Sequence, residues 1–161
     1  MKTLRSITFT ILVLSASGNV VCFDETDETL ESQLQQKMTF ACEADSLTGI
    51  LETLEAKVSK ANPGFVIKIL GKDLAFDGIT KNKQIREFKQ EDVSIAEILT
   101  AILKQANPIK VMDPTDPDWC LVWIVCPDPE DAQRQIVLIT TRSAARQRGD
   151  KLPEVFQETE K

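Results

Sequence analysis

Two stretches of the chain read as amphipathic helices that stop on the same three residues, Ala-Asn-Pro, at positions 61–63 and 106–108. In the first, Leu47, Ile50, Leu51, Leu54 and Val58 form an apolar stripe at the i, i+3, i+4, i+7 spacing of a helix, with Asp45 or Ser46 as its cap. In the second, Ile95, Ile98, Leu99, Ile102 and Leu103 form the same stripe, and Ser94 and Glu97 stand three apart as a capping box. Asparagine followed by proline ends a helix, and Pro63-Gly64 does so at once. Strand-like residues flank both helices. Together these require a small α+β domain whose two halves resemble each other.

The strands follow from period-two alternation. Residues 38–44 place Met38, Phe40, Cys42 and Ala44 on one face. Residues 65–70 place Phe65, Ile67 and Ile69 on one face and Val66, Lys68 and Leu70 on the other, up to Gly71. Residues 73–80 contain the turn Asp77-Gly78, and residues 84–89 form a short strand with Ile85 and Phe88. After a proline-bearing loop at 113–118 come two apolar strands, 120–126 and 136–141, joined by a charged loop at 127–135. The order is β-α-β-β-α-β-β. It predicts one small sheet with two helices packed on one face.

The ends of the chain differ from this body. Lys2 and Arg5 precede an apolar run from Ile7 to Ala16, and Ser15 to Gly18 are small, so residues 1–19 read as a secretory signal peptide. The run is too short for a membrane span, which needs about 20 apolar residues. Residues 20–37 carry Asp24, Glu25, Asp27, Glu28 and Glu31 and read as an acidic linker. Residues 38–142 form the folded domain, and 143–161 a polar tail that offers Leu152, Val155 and Phe156 for docking. The expected location is therefore periplasmic or secreted.

Composition narrows the chemistry. The chain contains no histidine. That removes Ser-His-Asp and Cys-His nucleophiles, His-containing metal sites and the usual base near neutral pH. The net charge of -6 argues against a nucleic-acid binder, which needs a basic footprint on phosphate, and against docking on anionic lipid. In an exported protein, Cys42 could pair with Cys120 or Cys126. Buried thiols used as small apolar side chains are the slightly favoured alternative.

The opening residues 38–47, Met-Thr-Phe-Ala-Cys-Glu-Ala-Asp-Ser-Leu, followed by Ile50-Leu51 and Leu54, resemble the start of the secretin and TonB short N-terminal domain. Val93-Ser94-Ile95 leading to Glu97-Ile98-Leu99 resembles the entry to that family's second helix. The likeness covers about residues 38–141. It departs in an insertion at 71–80 and in the long loop of the closing hairpin. What it implies is a free-standing, non-catalytic interaction module of a bacterial envelope, with a protein partner and no cofactor.

Remaining candidates are weighed on the residues. The 120–126 strand is apolar on both faces, so one face packs on the helices. The other is either covered by the tail through Leu152 and Phe156 or offered to a partner. On the second reading Trp123 is the anchor, with Leu121, Val125, Val66 and Leu70 beside it. The acidic loops (Asp73 and Asp77; Asp113, Asp116 and Asp118; Asp128, Glu130 and Asp131) read as solvated turns far better than as calcium sites, so no metal is expected. Lys81-Asn82-Lys83 reads as a turn that could touch an acidic partner. Arg148-Gly149-Asp150 reads as a chance adhesion tripeptide. A small exported enzyme using paired carboxylates or a Ser-Lys dyad is the runner-up, and a structural envelope protein the third reading.

Overall fold

The computed structural model describes residues 29–157. The signal-peptide reading and most of the acidic linker lie outside them. The α+β class holds, and the seven elements read from the pattern occur in the expected order: β1 (Lys37–Ser46), α2 (Leu47–Val58), β2 (Ile67–Ile69), β3 (Gln84–Ser94), α4 (Ile95–Ala106), β4 (Leu121–Asp128) and β5 (Asp131–Thr141). Three short helices join them, α1 (Leu30–Leu34), α3 (Gly71–Phe76) and α5 (Arg142–Arg148), with a 3-10 turn at Glu154–Phe156.

The strands form two sheets rather than the single sheet expected. β1 pairs antiparallel with β3, from Lys37 opposite Ser94 to Ser46 opposite Gln84. β5 lies at the centre of the other sheet, parallel to β2 and antiparallel to β4. The helices stand between the two sheets and contact strands of both. Ser46 and Ser94 are each the last residue of a strand and the N-cap of the helix that follows. Each hydroxyl accepts from the backbone N–H three residues on, Gly49 at 3.1 Å and Glu97 at 3.2 Å. β1 and β3, which both run into a helix with no loop between, pair with each other. β2 leaves α2 after a loop and joins β5. Helix α2 touches β1 and β2, and α4 touches β3 and β4, so each helix packs on both sheets instead of on one face of one sheet.

The apolar stripes read from sequence are the core. Leu47, Ile50, Leu54, Ile98, Leu99, Ile102 and Leu103 have no measurable exposure. Phe40 and Phe88 meet edge to face at 6.0 Å across the β1–β3 pair, with Lys57 Nζ 4.8 Å above the Phe40 ring.

Several boundaries differ from the pattern. α2 ends at Val58, before the first Ala-Asn-Pro, while α4 runs to Ala106 with Asn107 as its C-cap. Residues 71–76 form a helix, and Leu74 is its one buried residue. The charged stretch 127–135 is strand on both sides of a two-residue turn, so the long hairpin loop is absent. Thr29 caps α1, which buries Leu30 and Leu34, so the end of the acidic segment belongs to the body. The tail docks through Phe156, whose ring lies 6.2 Å from Trp119 and 5.9 Å from Trp123. Arg142, at the start of α5, holds this arrangement. Its guanidinium donates to the carbonyls of Trp119 at 3.0 Å, Phe156 at 2.7 Å and Pro114 at 2.6 Å.

Candidate functional site: the outer edge of β4

The five residues read as a partner face do not share one. Leu121 is fully buried, and Trp123 is 6 % exposed. The Trp123 indole turns toward α4 and donates to Thr100 Oγ1 at 3.0 Å, with Phe156 of the tail against it. Val66 and Leu70 pack instead with Ile124, Ile136 and Leu138, a separate small cluster. Side chains alternate across a strand, so Trp123 and Ile124 must point to opposite faces. Leu121, Trp123 and Val125 share the face of β4 that meets the main core, and Trp123 and Val125 also reach the outer edge of the strand.

β4 is an outer strand, and its hydrogen-bond directions follow from its partner. Val137 N–H donates to Val66, and the Ile139 carbonyl accepts from Leu70, both at 3.0 Å, so Val137 and Ile139 turn their backbone groups toward β2. Val125 and Trp123 stand opposite them in the antiparallel pair. Opposed residues outside the hydrogen-bonded rungs both point away from each other, so Trp123 and Val125 aim theirs outward. Leu121, two residues earlier, points the same way. Its N–H is taken by Asn107 Oδ1 at 3.1 Å, and its carbonyl accepts from the Trp119 indole. Pro127, two residues later, has no N–H to offer. Among the described residues no partner meets the outward N–H and C=O of Trp123 and Val125.

Two adjoining hollows of about 270 and 670 Å³ lie over this edge. Trp123, Pro153, Glu31 and Glu154 line both. Leu34 of α1 with Val125 and Leu152 extends the first, and Ala96 and Thr100 of α4 the second. The floor is apolar. Glu31 and Glu154 stand exposed on the rim with no cation paired to them among the described residues. Glu97 also borders the larger hollow, but its carboxylate accepts from the Ser94 N–H and hydroxyl, both at 2.8 Å, which lowers its pKa. Sequence reading missed Glu31, Leu34, Pro153 and Glu154. Thr29 followed by Leu30 and Leu34 was the available signal for α1: an N-cap and two leucines one turn apart.

The acidic loops are occupied by other work. Asp128, buried, accepts from Lys68 Nζ at 2.8 Å, from Arg134 and from the Glu130 N–H at 3.0 Å. Those bonds, Lys68 first, hold its pKa well below the usual carboxylate range. Asp73 binds Thr140 and Arg148, Asp77 binds Ser143, and Asp113 binds Thr115. Among the described residues no group of three acids or cysteines is placed to hold a metal ion. Arg148 donates to Asp150 at 2.8 Å and to Asp73, so the Arg-Gly-Asp tripeptide is closed on itself. Lys81 and Lys83 serve α2 through their carbonyls, which accept from Thr48 and Leu47. Cys42, Cys120 and Cys126 are free, half-buried thiols. No described helix is long and apolar enough to cross a membrane. Neither the family models, nor the curated proteins, nor the solved structures compared with this chain give a match.

Proposed function

We propose that this chain is an exported, non-catalytic interaction module of a bacterial envelope, built on a domain of the secretin and TonB short N-terminal kind, and that it holds a protein partner at the β4 edge. The carrying observation is the pairing of open backbone groups at Trp123 and Val125 with an apolar groove beside them. A sheet edge left open over an apolar hollow is a recurrent peptide-recognition device. The family reading draws support from the two strand-to-helix junctions, where Ser46-Leu47 and Ser94-Ile95 start helices of equal length, 12 residues each. The non-catalytic reading draws support from Asp128 and Asp73. A carboxylate pair working as acid and base needs one member held protonated, whereas Lys68 and Arg134 hold Asp128 ionised, and Asp73 is engaged in an ion pair with Arg148.

Affinity capture from an envelope extract tests the reading, with wild type compared against the double variant Glu31→Lys/Glu154→Lys. Both positions are exposed, so the variant should fold normally. A partner retained by wild type and lost by the variant is the expected result. Equal recovery of every captured protein by both would remove the groove as the binding site.

A further inference from the structure

We propose that the occupant of the β4 edge is an extended segment of a partner protein that adds to the three-stranded sheet as a fourth strand beyond β4, and that this segment carries a lysine or arginine. The inference rests on the interaction-module reading and specifies its mode. Trp123 and Val125 present two N–H and two C=O groups on one line, two residues apart, which is the repeat an incoming strand reads. The window has defined ends. Leu121 is closed by Asn107 and Trp119, and Pro127 supplies no donor. A segment of about four or five residues spans that distance at the rise of a strand. Its alternate side chains would fall into the hollows beside Trp123 and Leu152. Lys151 lines one hollow and Lys37 the other, but Glu31 and Glu154 line both, exposed and without a paired cation among the described residues, so the stretch of rim the two hollows share favours a basic side chain.

The other sheet edges are guarded. On β2, the Ile67 N–H donates to the Glu55 carboxylate at 2.7 Å. β3 carries residues of positive φ at Glu87 and Asp92, and β1 has an irregular register between Met38 and Phe40. Such irregularities, with charged side chains such as Glu43, Arg86 and Lys89 along both strands, are the usual protections against strand addition.

The test uses a display library of random nine-residue peptides selected on the chain, followed by synthesis of recovered sequences with single backbone N-methyl groups. N-methylation at alternate positions should weaken binding about tenfold, and at the intervening positions should change it little, because only every second amide of an added strand faces β4. Val125→Pro, which removes one outward donor and no bond to β5, should weaken binding by a similar factor. Glu31→Lys/Glu154→Lys should weaken peptides that carry lysine or arginine. The N-methyl series needs only the wild-type chain, so it decides the matter even if the proline variant folds poorly. Recovery of no peptide, or binders indifferent to N-methylation at every position, overturns strand addition. The module reading survives that result if envelope capture still finds a partner lost on charge reversal at Glu31 and Glu154. A wild-type chain that self-associates and becomes monomeric in Val125→Pro would assign the edge to a second copy and overturn the proposal.

Discussion

Asn62 and Gln36 exchange two amide hydrogen bonds, Gln36 Nε2 to Asn62 Oδ1 at 3.1 Å and Asn62 Nδ2 to Gln36 Oε1 at 2.8 Å. They tie the loop after α2 to the segment between α1 and β1. The other Ala-Asn-Pro asparagine does different work. Asn107 Oδ1 accepts from the backbone N–H of Cys120 at 2.9 Å and of Leu121 at 3.1 Å, while its Nδ2 donates to the Ile109 carbonyl at 2.6 Å. The identical triplets thus become two unlike buried pins. Asn107→Ala leaves backbone groups of a buried strand end unpaired and should cost about 2–3 kcal/mol. Asn62→Ala should cost about 1 kcal/mol, because half-buried Gln36 can turn to water. Urea midpoints of the two variants check the order. A larger loss in Asn62→Ala would overturn this account.

The Trp123 indole is a core group with a polar tip, and its substitutions should separate those parts. Trp123→Phe loses the bond to Thr100 and some volume, at about 1 kcal/mol. Trp123→Ala also loses the contact with Phe156 and opens a cavity under the tail, at about 3–5 kcal/mol. Thermal unfolding of both proteins checks the ratio. A Trp123→Ala protein as stable as wild type would mean that the indole packs against nothing. For the same reason charge reversal at Glu31 and Glu154 is a cleaner probe of binding than truncation at Trp123.

Periodicity made the two helices legible because their burial is decided by one stripe each. It made the seven-element order legible because strands and helices differ in period. The division into two sheets was not legible. Ser46 and Ser94 each end a strand and cap a helix, and neither the strand alternation nor the capping pattern says which strand a strand will meet. The hairpin turn was hidden because the first residues of β5, Asp131 to Gln135, are mostly exposed and carry no apolar alternation. The open edge of β4 was hidden for a related reason. An apolar strand such as β4 looks two-faced in sequence, but its opportunity lies in the backbone direction at Trp123 and Val125, which side-chain identity does not encode.

Thiol chemistry gives another check. Burial first, and the nearby acids Asp77 and Asp150 next, push the Cys120 and Cys126 thiols up from their ordinary range, with Arg142 and Arg148 partly opposing. Because the thiolate is the reactive form, both cysteines should alkylate with iodoacetamide at pH 8 several-fold more slowly in the native protein than in urea. Peptide mapping by mass spectrometry reads the two rates separately. Equal rates in native and denatured protein would contradict the half-buried placement. A mass two units low for a peptide pair containing Cys42 and either of the others would show a disulfide where the fold places free thiols.

Acid stability should depend on Asp128. In the fold its carboxylate is held ionised by Lys68, Arg134 and the Glu130 N–H, so its pKa lies below the ordinary value of 3.8. A folded-state pKa below the unfolded one means that the unfolded chain takes up the proton first. The contribution is therefore complete above about pH 5, begins to fall near pH 4 and continues to fall as pH drops through the folded value. Asp128→Asn keeps the shape and removes the charge. It should be less stable than wild type at pH 6, and the gap should narrow steadily as pH is lowered from about 4 to 2. Added salt should narrow it at pH 6 as well, since Lys68 and Arg134 are part-exposed, 32 % and 40 % for their side chains. Urea midpoints of both proteins across that pH range, at low and high salt, read the effect. A gap that stays constant from pH 6 to 2 would show that Asp128 supports the β4–β5 turn by its shape and hydrogen bonds alone, without its charge.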